Sequence, residues 1–167
     1  DRIATFEIGG RHGRAGRGPF DLAANVAYTR WRDIQADFID SAGFPSTANI
    51  GDGRIWTATL TAGLAVSPSL RIDAGLTYND GRIDEPTPFL FERVAPVLDI
   101  PSFSGRIEDL PPQLLETITE IPNIARLSGR IGFDYRRPLR GDLELTAQGW
   151  ANYIGRSRLG VGPELGE

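Results

Sequence analysis

Two tryptophans and a few charged neighbours are the side chains best suited to hold a ligand. Trp31 is followed closely by Asp33, and Trp150 by Asn152, while Arg126 and Arg130 precede the second pair. An indole face offers stacking area to a sugar or a planar chelate, and a guanidinium adds charge and paired donors for an anionic one. Catalysis is less well served. Glu7, Asp73, Asp134 and Glu144 resemble an acid–base set only superficially, because Arg11, Arg71, Arg130 and Arg136 are spaced to pair with them across strands. His12, the single histidine, sits in a Gly- and Arg-rich turn and has no partner for a triad. Gly10, Gly13, Gly16 and Gly18 lack the Lys-Ser/Thr that completes a phosphate loop, so they read as a tight turn. Asn79, Asp80, Asp84 and Glu85 lack the ligand spacing of a full Ca²⁺ loop. Arg140-Gly141-Asp142 matches a cell-adhesion tripeptide but falls in a short turn. The pattern predicts no catalytic residue, no metal site and no cofactor.

Composition narrows the classes further. Cysteine is absent, which removes disulfide frameworks, zinc clusters and thiol nucleophiles. A net charge of −4 leaves no overall footprint for nucleic acid, although every cation is arginine and lysine is missing. No run approaches the ~18 apolar residues of a membrane helix. The 167 residues suit one domain or part of one, and the chain opens mid-strand at Asp1-Arg2-Ile3, as a segment of something longer would.

The elements that must position these side chains are strands. Alternation with period two dominates. Phe20, Leu22, Ala24, Val26 and Tyr28 share one face, as do Leu70, Ile72, Ala74, Leu76 and Tyr78. Trp56, Ala58, Leu60, Ala62, Leu64 and Val66 oppose Thr57, Thr59, Thr61, Gly63 and Ala65. The same holds for Leu127, Ile131, Phe133 and Tyr135, and for Leu143, Leu145, Ala147, Ala151 and Tyr153. The expected fold is all-β, an antiparallel up-and-down meander of about six strands near 2–12, 19–35, 50–66, 70–80, 126–136 and 142–156. Connections alternate short (His12 to Gly18, Ser67 to Ser69, Arg137 to Gly141) and long (Asp33 to Asp52, and 81–124). Within the second long loop, Leu110, Leu114, Ile118 and Ile121 have helical spacing behind Pro111-Pro112, which predicts a short amphipathic helix over Asp109 to Ile121.

Short turns at one end and long loops at the other also describe an outer-membrane barrel. One face mixes Thr, Asn, Gln and Gly with scattered charge, as a hydrated lumen would. The other is aliphatic and bracketed by aromatics: Tyr28, Trp56, Tyr78 and Tyr153 toward the long loops, and Phe20, Phe133 and Tyr135 toward the short turns. Aromatic belts around an aliphatic band are selected by a bilayer interface. From Phe20 to Tyr28 a strand tilted by ~40° spans roughly 20 Å, close to the apolar height of an outer membrane. By parity Trp31 and Trp150 point inward, where with Asp33, Arg126, Arg130 and Asn152 they make an upper-lumen ligand wall or a surface for a plug. A soluble β-sandwich is the alternative, and it requires a second sheet over the aliphatic face.

Several segments resemble one family in order. Arg2-Ile3-Ala4-Thr5-Phe6-Glu7-Ile8-Gly9 resembles the "yEiG" strand of TonB-dependent outer-membrane receptors. Val26-Ala27-Tyr28-Thr29-Arg30-Trp31-Arg32-Asp33-Ile34-Gln35 is similar to that family's "aFYtrW.DIQ" strand, and Thr47-Ala48-Asn49-Ile50-Gly51-Asp52-Gly53-Arg54 to its "tNaG.ar" return. Ile121-Pro122-Asn123-Ile124-Ala125-Arg126-Leu127-Ser128-Gly129-Arg130 resembles "lPniArlsgr", and Tyr153-Ile154-Gly155-Arg156-Ser157 resembles "YvGrs". The resemblance covers nearly the whole chain. It implies that 1–167 is part of a transmembrane receptor barrel in the outer membrane of a Gram-negative bacterium, taking up a scarce ligand such as a ferric siderophore or another large nutrient. It further implies outer-membrane lipid and the TonB energy-coupling complex as partners. The family's plug, TonB box and terminal strands have no counterpart here, and Trp56-Thr57-Ala58 replaces the usual "GlE" element. A passive channel or structural barrel is the alternative function.

Overall fold

The computed structural model describes residues 1–40, 42–90 and 119–157. They form six strands: β1 Arg2–Arg14, β2 Arg17–Ile39, β3 Pro45–Ser67, β4 Leu70–Pro86, β5 Leu127–Pro138 and β6 Glu144–Ile154. All belong to one antiparallel sheet in the sequential order β1-β2-β3-β4-β5-β6, so the expected all-β meander is the architecture of the chain. The sheet is open, with β1 and β6 at its edges. Among the described residues no second sheet covers it, and no helix is long and apolar enough to cross a membrane.

The register fixes the faces. Phe20, Leu64, Ile72 and Phe133 are mutual partners along one row. The next apolar rows are Leu22–Ala62–Ala74–Ile131 and Ala24–Leu60–Leu76–Gly129. This aliphatic surface is bare: Leu60 is 44%, Leu76 47% and Ile131 55% exposed, which is the reverse of a sandwich core. Phe133 lies on the empty side of Gly149 on β6, where a Cβ would come within 2.7 Å of its ring.

Two expectations about connections need correction. The stretch from Asp33 to Asp52 is not a long loop. β2 continues to Ile39 and β3 starts at Pro45, leaving a turn held by the Asp40 carboxylate, which accepts from the Ala42 and Phe44 amides at 2.9 Å each. Likewise β4 runs on to Pro86, so 81–86 is strand rather than loop. In β2 the alternation is interrupted by a bulge. Register slips between Trp31 and Ile34, where Asp33 takes a left-handed φ of 56°. The slip flips parity, so Ile34 and Ala36 turn to the side that Trp31 faces and become buried. The short connections need smaller changes, with β1 reaching Arg14, β2 starting at Arg17, and the last turn at 139–143 closed by the Leu139 amide on the Leu143 carbonyl at 2.8 Å. The helix expected over Asp109 to Ile121 lies largely outside the described residues.

Among the described residues the buried core is small and lies at the long-connection end. Ile34, Ala36, Ile50, Ile83, Leu90 and Ile121 form it, with Trp31, Ile55 and Ile124 packed against it. It occupies the otherwise polar face: a Cβ on Gly81 would meet Ile121 at 3.4 Å and Ile55 at 3.5 Å. Thr29, Ile55 and Gly81 share one row, and the Thr29 hydroxyl bonds Thr5 on that same face at 2.9 Å.

Candidate functional site

Away from this core, the polar face is a lattice of short side chains bonded to one another. Thr5 and Thr29 share a hydrogen bond of 2.9 Å, Asn25 Nδ2 donates to Glu7 Oε1 at 2.6 Å, and the Thr57 hydroxyl donates to Asn79 Oδ1 at 2.9 Å. Toward the short turns the arginines take over. Arg71 on β4 donates to Asp73 at 3.0 Å and, through Nη2, to Asp21 on β2. Arg136 donates to Asp134 at 2.9 Å.

These pairs correct the expectation of cross-strand partners. Asp73 and Asp134 are served by arginines two positions along their own strands, because residues at i and i+2 share a face and a long guanidinium folds back over one repeat. Glu7 bonds Asn25 rather than Arg11. Two ion pairs do join strands: Arg54 on β3 lies 3.4 Å from Asp84 on β4, and Arg71 on β4 reaches Asp21 on β2 by spanning β3.

The six proposed ligand residues do not converge. Trp31 shares a row with Gly53 and Ile83, whereas Trp150 shares one with Gly132, Asp73 and Gly63. Gly53 and Gly63 are ten positions apart on β3, which places the two rows roughly 33 Å apart. Trp31 packs on the buried cluster, and its Nε1 has no hydrogen-bond partner among the described residues. Asp33 belongs to the bulge: its amide donates to Asp52 Oδ1 at 2.9 Å and its carboxylate accepts from Asn49 at 3.2 Å. Arg126 meets Glu120 at 3.4 Å where the chain enters β5. The remaining three stay together on β5 and β6. Arg130 opposes Asn152, and its guanidinium lies 5.8 Å from the Trp150 ring centroid.

Arg130 and Trp150, without Asn152, border an open concavity of about 440 Å³ whose lining also includes Thr61, Asp73, Asp134 and Gln148. Another, of about 370 Å³, includes Glu7, Arg11, Asn25 and Thr59. The candidate site is therefore an open groove offering one indole, one guanidinium, carboxylates and an amide. It sits in the rows near Asp73, toward the short turns and away from the buried cluster.

The aromatics on the opposite face fall into order. Tyr28 and Trp56 are register partners with ring centroids 4.9 Å apart. Tyr78 opposes Ala58, one row nearer the short turns, and Tyr153 lies in the row of Leu60 and Ala24, one further. Trp56, Tyr78 and Tyr153 are about half exposed or more, and Tyr28 is partly covered by its neighbours. At the other end Phe133 shares the row of Phe20, and Tyr135 opposes Leu70 one row beyond.

The apolar cluster on the polar face was missed in sequence, though a signal existed: Trp31, Ile55 and Ile83 are apolar residues at polar-face positions. No family model, curated protein or solved structure matches the chain.

Proposed function

We propose that this chain is a wall segment of an outer-membrane β-barrel that takes up a large, scarce ligand by energy-coupled transport, as its resemblance to TonB-dependent receptors implies. The observation that carries the membrane part is the slant of the upper aromatic belt. From Tyr28 on β2 to Tyr153 on β6 the belt drops four residues over four strand spacings. With ~3.3 Å per residue and ~4.8 Å between strands, the belt is inclined to the rows by roughly 35°. Strands in a closed barrel tilt by about that angle, so a belt slanted across the rows becomes level with the membrane plane. A bare aliphatic band beneath the belt and a hydrogen-bonded polar face behind it complete the wall.

The Arg130–Trp150–Gln148 groove then lines the lumen, where it would meet either a passing ligand or a plug. The energy-coupled and passive readings part in a bilayer recording. The full-length protein should insert and carry no steady ion current, because a receptor barrel is plugged. A continuous conductance from the purified protein would favour the passive channel, and failure to insert would remove both.

A further inference from the structure

Immediately beyond the upper belt, on the same outward face, stands a row of arginines. Arg30 on β2 opposes Arg54 on β3, which opposes Arg82 on β4. Each strand contributes by the same arithmetic: Arg30 is two residues past Tyr28, and Arg54 two before Trp56. Arg32, one row higher, opposes Arg2 on β1. All five side chains belong to exposed residues, with Arg54 47% and Arg82 46% exposed.

Like charges directly opposed on neighbouring strands destabilise a sheet unless something neutralises them. Internal carboxylates do part of this. Asp84 lies 3.4 Å from Arg54 and Asp80 lies 3.3 Å from Arg82. The first joins β3 to β4 and the second lies within β4, and both are water-exposed contacts of the kind that contribute little. Asp52 and Glu85 oppose each other on β3 and β4 beyond the row, and the Asp52 carboxylate is occupied by the Asp33 amide. Arg2, Arg30 and Arg32 have no carboxylate partner among the described residues.

We infer that this row binds the phosphate groups of anionic lipid headgroups in the leaflet at the long-loop end. The inference rests on the membrane reading above. The chemistry follows from position. Aliphatic side chains take the acyl layer, Tyr28 and Trp56 take the interface, and the next row meets headgroups. Arginine suits phosphate because its planar fork gives two parallel charge-assisted bonds, and the rigid ~4.8 Å strand spacing presents several forks side by side. The chain's net charge of −4 conceals this local excess.

The test uses the full-length protein in phosphatidylcholine vesicles, titrated with phosphatidylglycerol. Each arginine near an anionic surface contributes about fivefold, so Arg30→Gln, Arg54→Gln and Arg82→Gln together should weaken phosphatidylglycerol binding roughly a hundredfold. Arg11→Gln with Arg136→Gln, on the inward face, should leave it unchanged. Inorganic phosphate at millimolar concentration should not compete, since it lacks the acyl anchor; effective competition would assign the row to a soluble phosphate and overturn the lipid. Unchanged phosphatidylglycerol binding by an inserted triple variant would overturn the proposal alone. A parent that enters neither kind of vesicle would overturn the proposal together with the membrane reading.

Discussion

Arg71 reaches Asp21 across an intervening strand, and Gly63 is what lets it. The guanidinium leaves β4, passes over the bare α-carbon of Gly63 on β3 and binds the carboxylate on β2 while holding Asp73 at 3.0 Å. A Cβ on Gly63 would sit 2.6 Å from Asp21 Oδ2 and 2.8 Å from Asp73 Oδ1. One side chain thereby ties β4 to β2 across β3 near the short turns.

Removing Arg71 leaves two carboxylates facing one another across that gap. Arg71→Gln should cost about 1–2 kcal/mol, since the group lost is a charged donor to a partly shielded acceptor. Arg136→Gln, whose pair with Asp134 stands in water at 68% exposure, should leave stability unchanged. Urea unfolding of the vesicle-inserted protein checks both, and equal losses would mean that the crossing over Gly63 contributes nothing special.

Gly51 has a φ of 134°, and a Cβ there would come within 2.8 Å of the Pro86 α-carbon. Gly51→Ala should therefore cost roughly 2–3 kcal/mol from backbone strain and overlap together. The loss should concentrate where Thr87 bonds the Ile50 carbonyl at 3.1 Å, and hydrogen exchange at the Thr87 amide reports it.

Ile121 is 2% exposed and packs over Gly81 on the otherwise polar face. Ile121→Ala should cost about 2–4 kcal/mol through the cavity it leaves. Amide exchange should rise at the Asn79 amide, bonded to the Arg126 carbonyl at 2.8 Å, while the aliphatic band stays as protected as before. Uniform acceleration across β2 to β4 would show that the cluster anchors the whole sheet instead.

What could be read from the residues alone follows from these same places. Period-two alternation identifies strands wherever two environments persist, so Phe20–Tyr28 and Leu70–Tyr78 were legible to within a few residues. Alternation fails at a bulge, because Asp33 resets parity and hides Ile34 and Ala36 from the pattern. The ligand wall failed for another reason. Parity alone gives a face, whereas position along that face depends on register, and only pairing places Trp31 and Trp150 in distant rows. Ion pairing was misjudged in kind: a guanidinium reaches its own i+2 neighbour as readily as the next strand.

The two faces also differ in what a charge would cost. In a bilayer Leu76→Arg should destabilise the folded protein by roughly 2–4 kcal/mol, while Thr77→Arg, on the polar face, should cost much less. Refolding into vesicles from urea measures the pair, and similar penalties would contradict a hydrated inner face.

The central claim is that Leu60 and Leu76 touch lipid while Thr59 and Thr77, one residue away, do not. The chain has no cysteine, so single cysteines introduced at these positions can each carry a fluorophore. With the full-length protein in vesicles containing an acyl-chain quencher, labels at 60 and 76 should be strongly quenched and those at 59 and 77 should not. Equal quenching at both parities, or a stable monomer in buffer free of detergent and lipid, would contradict the account.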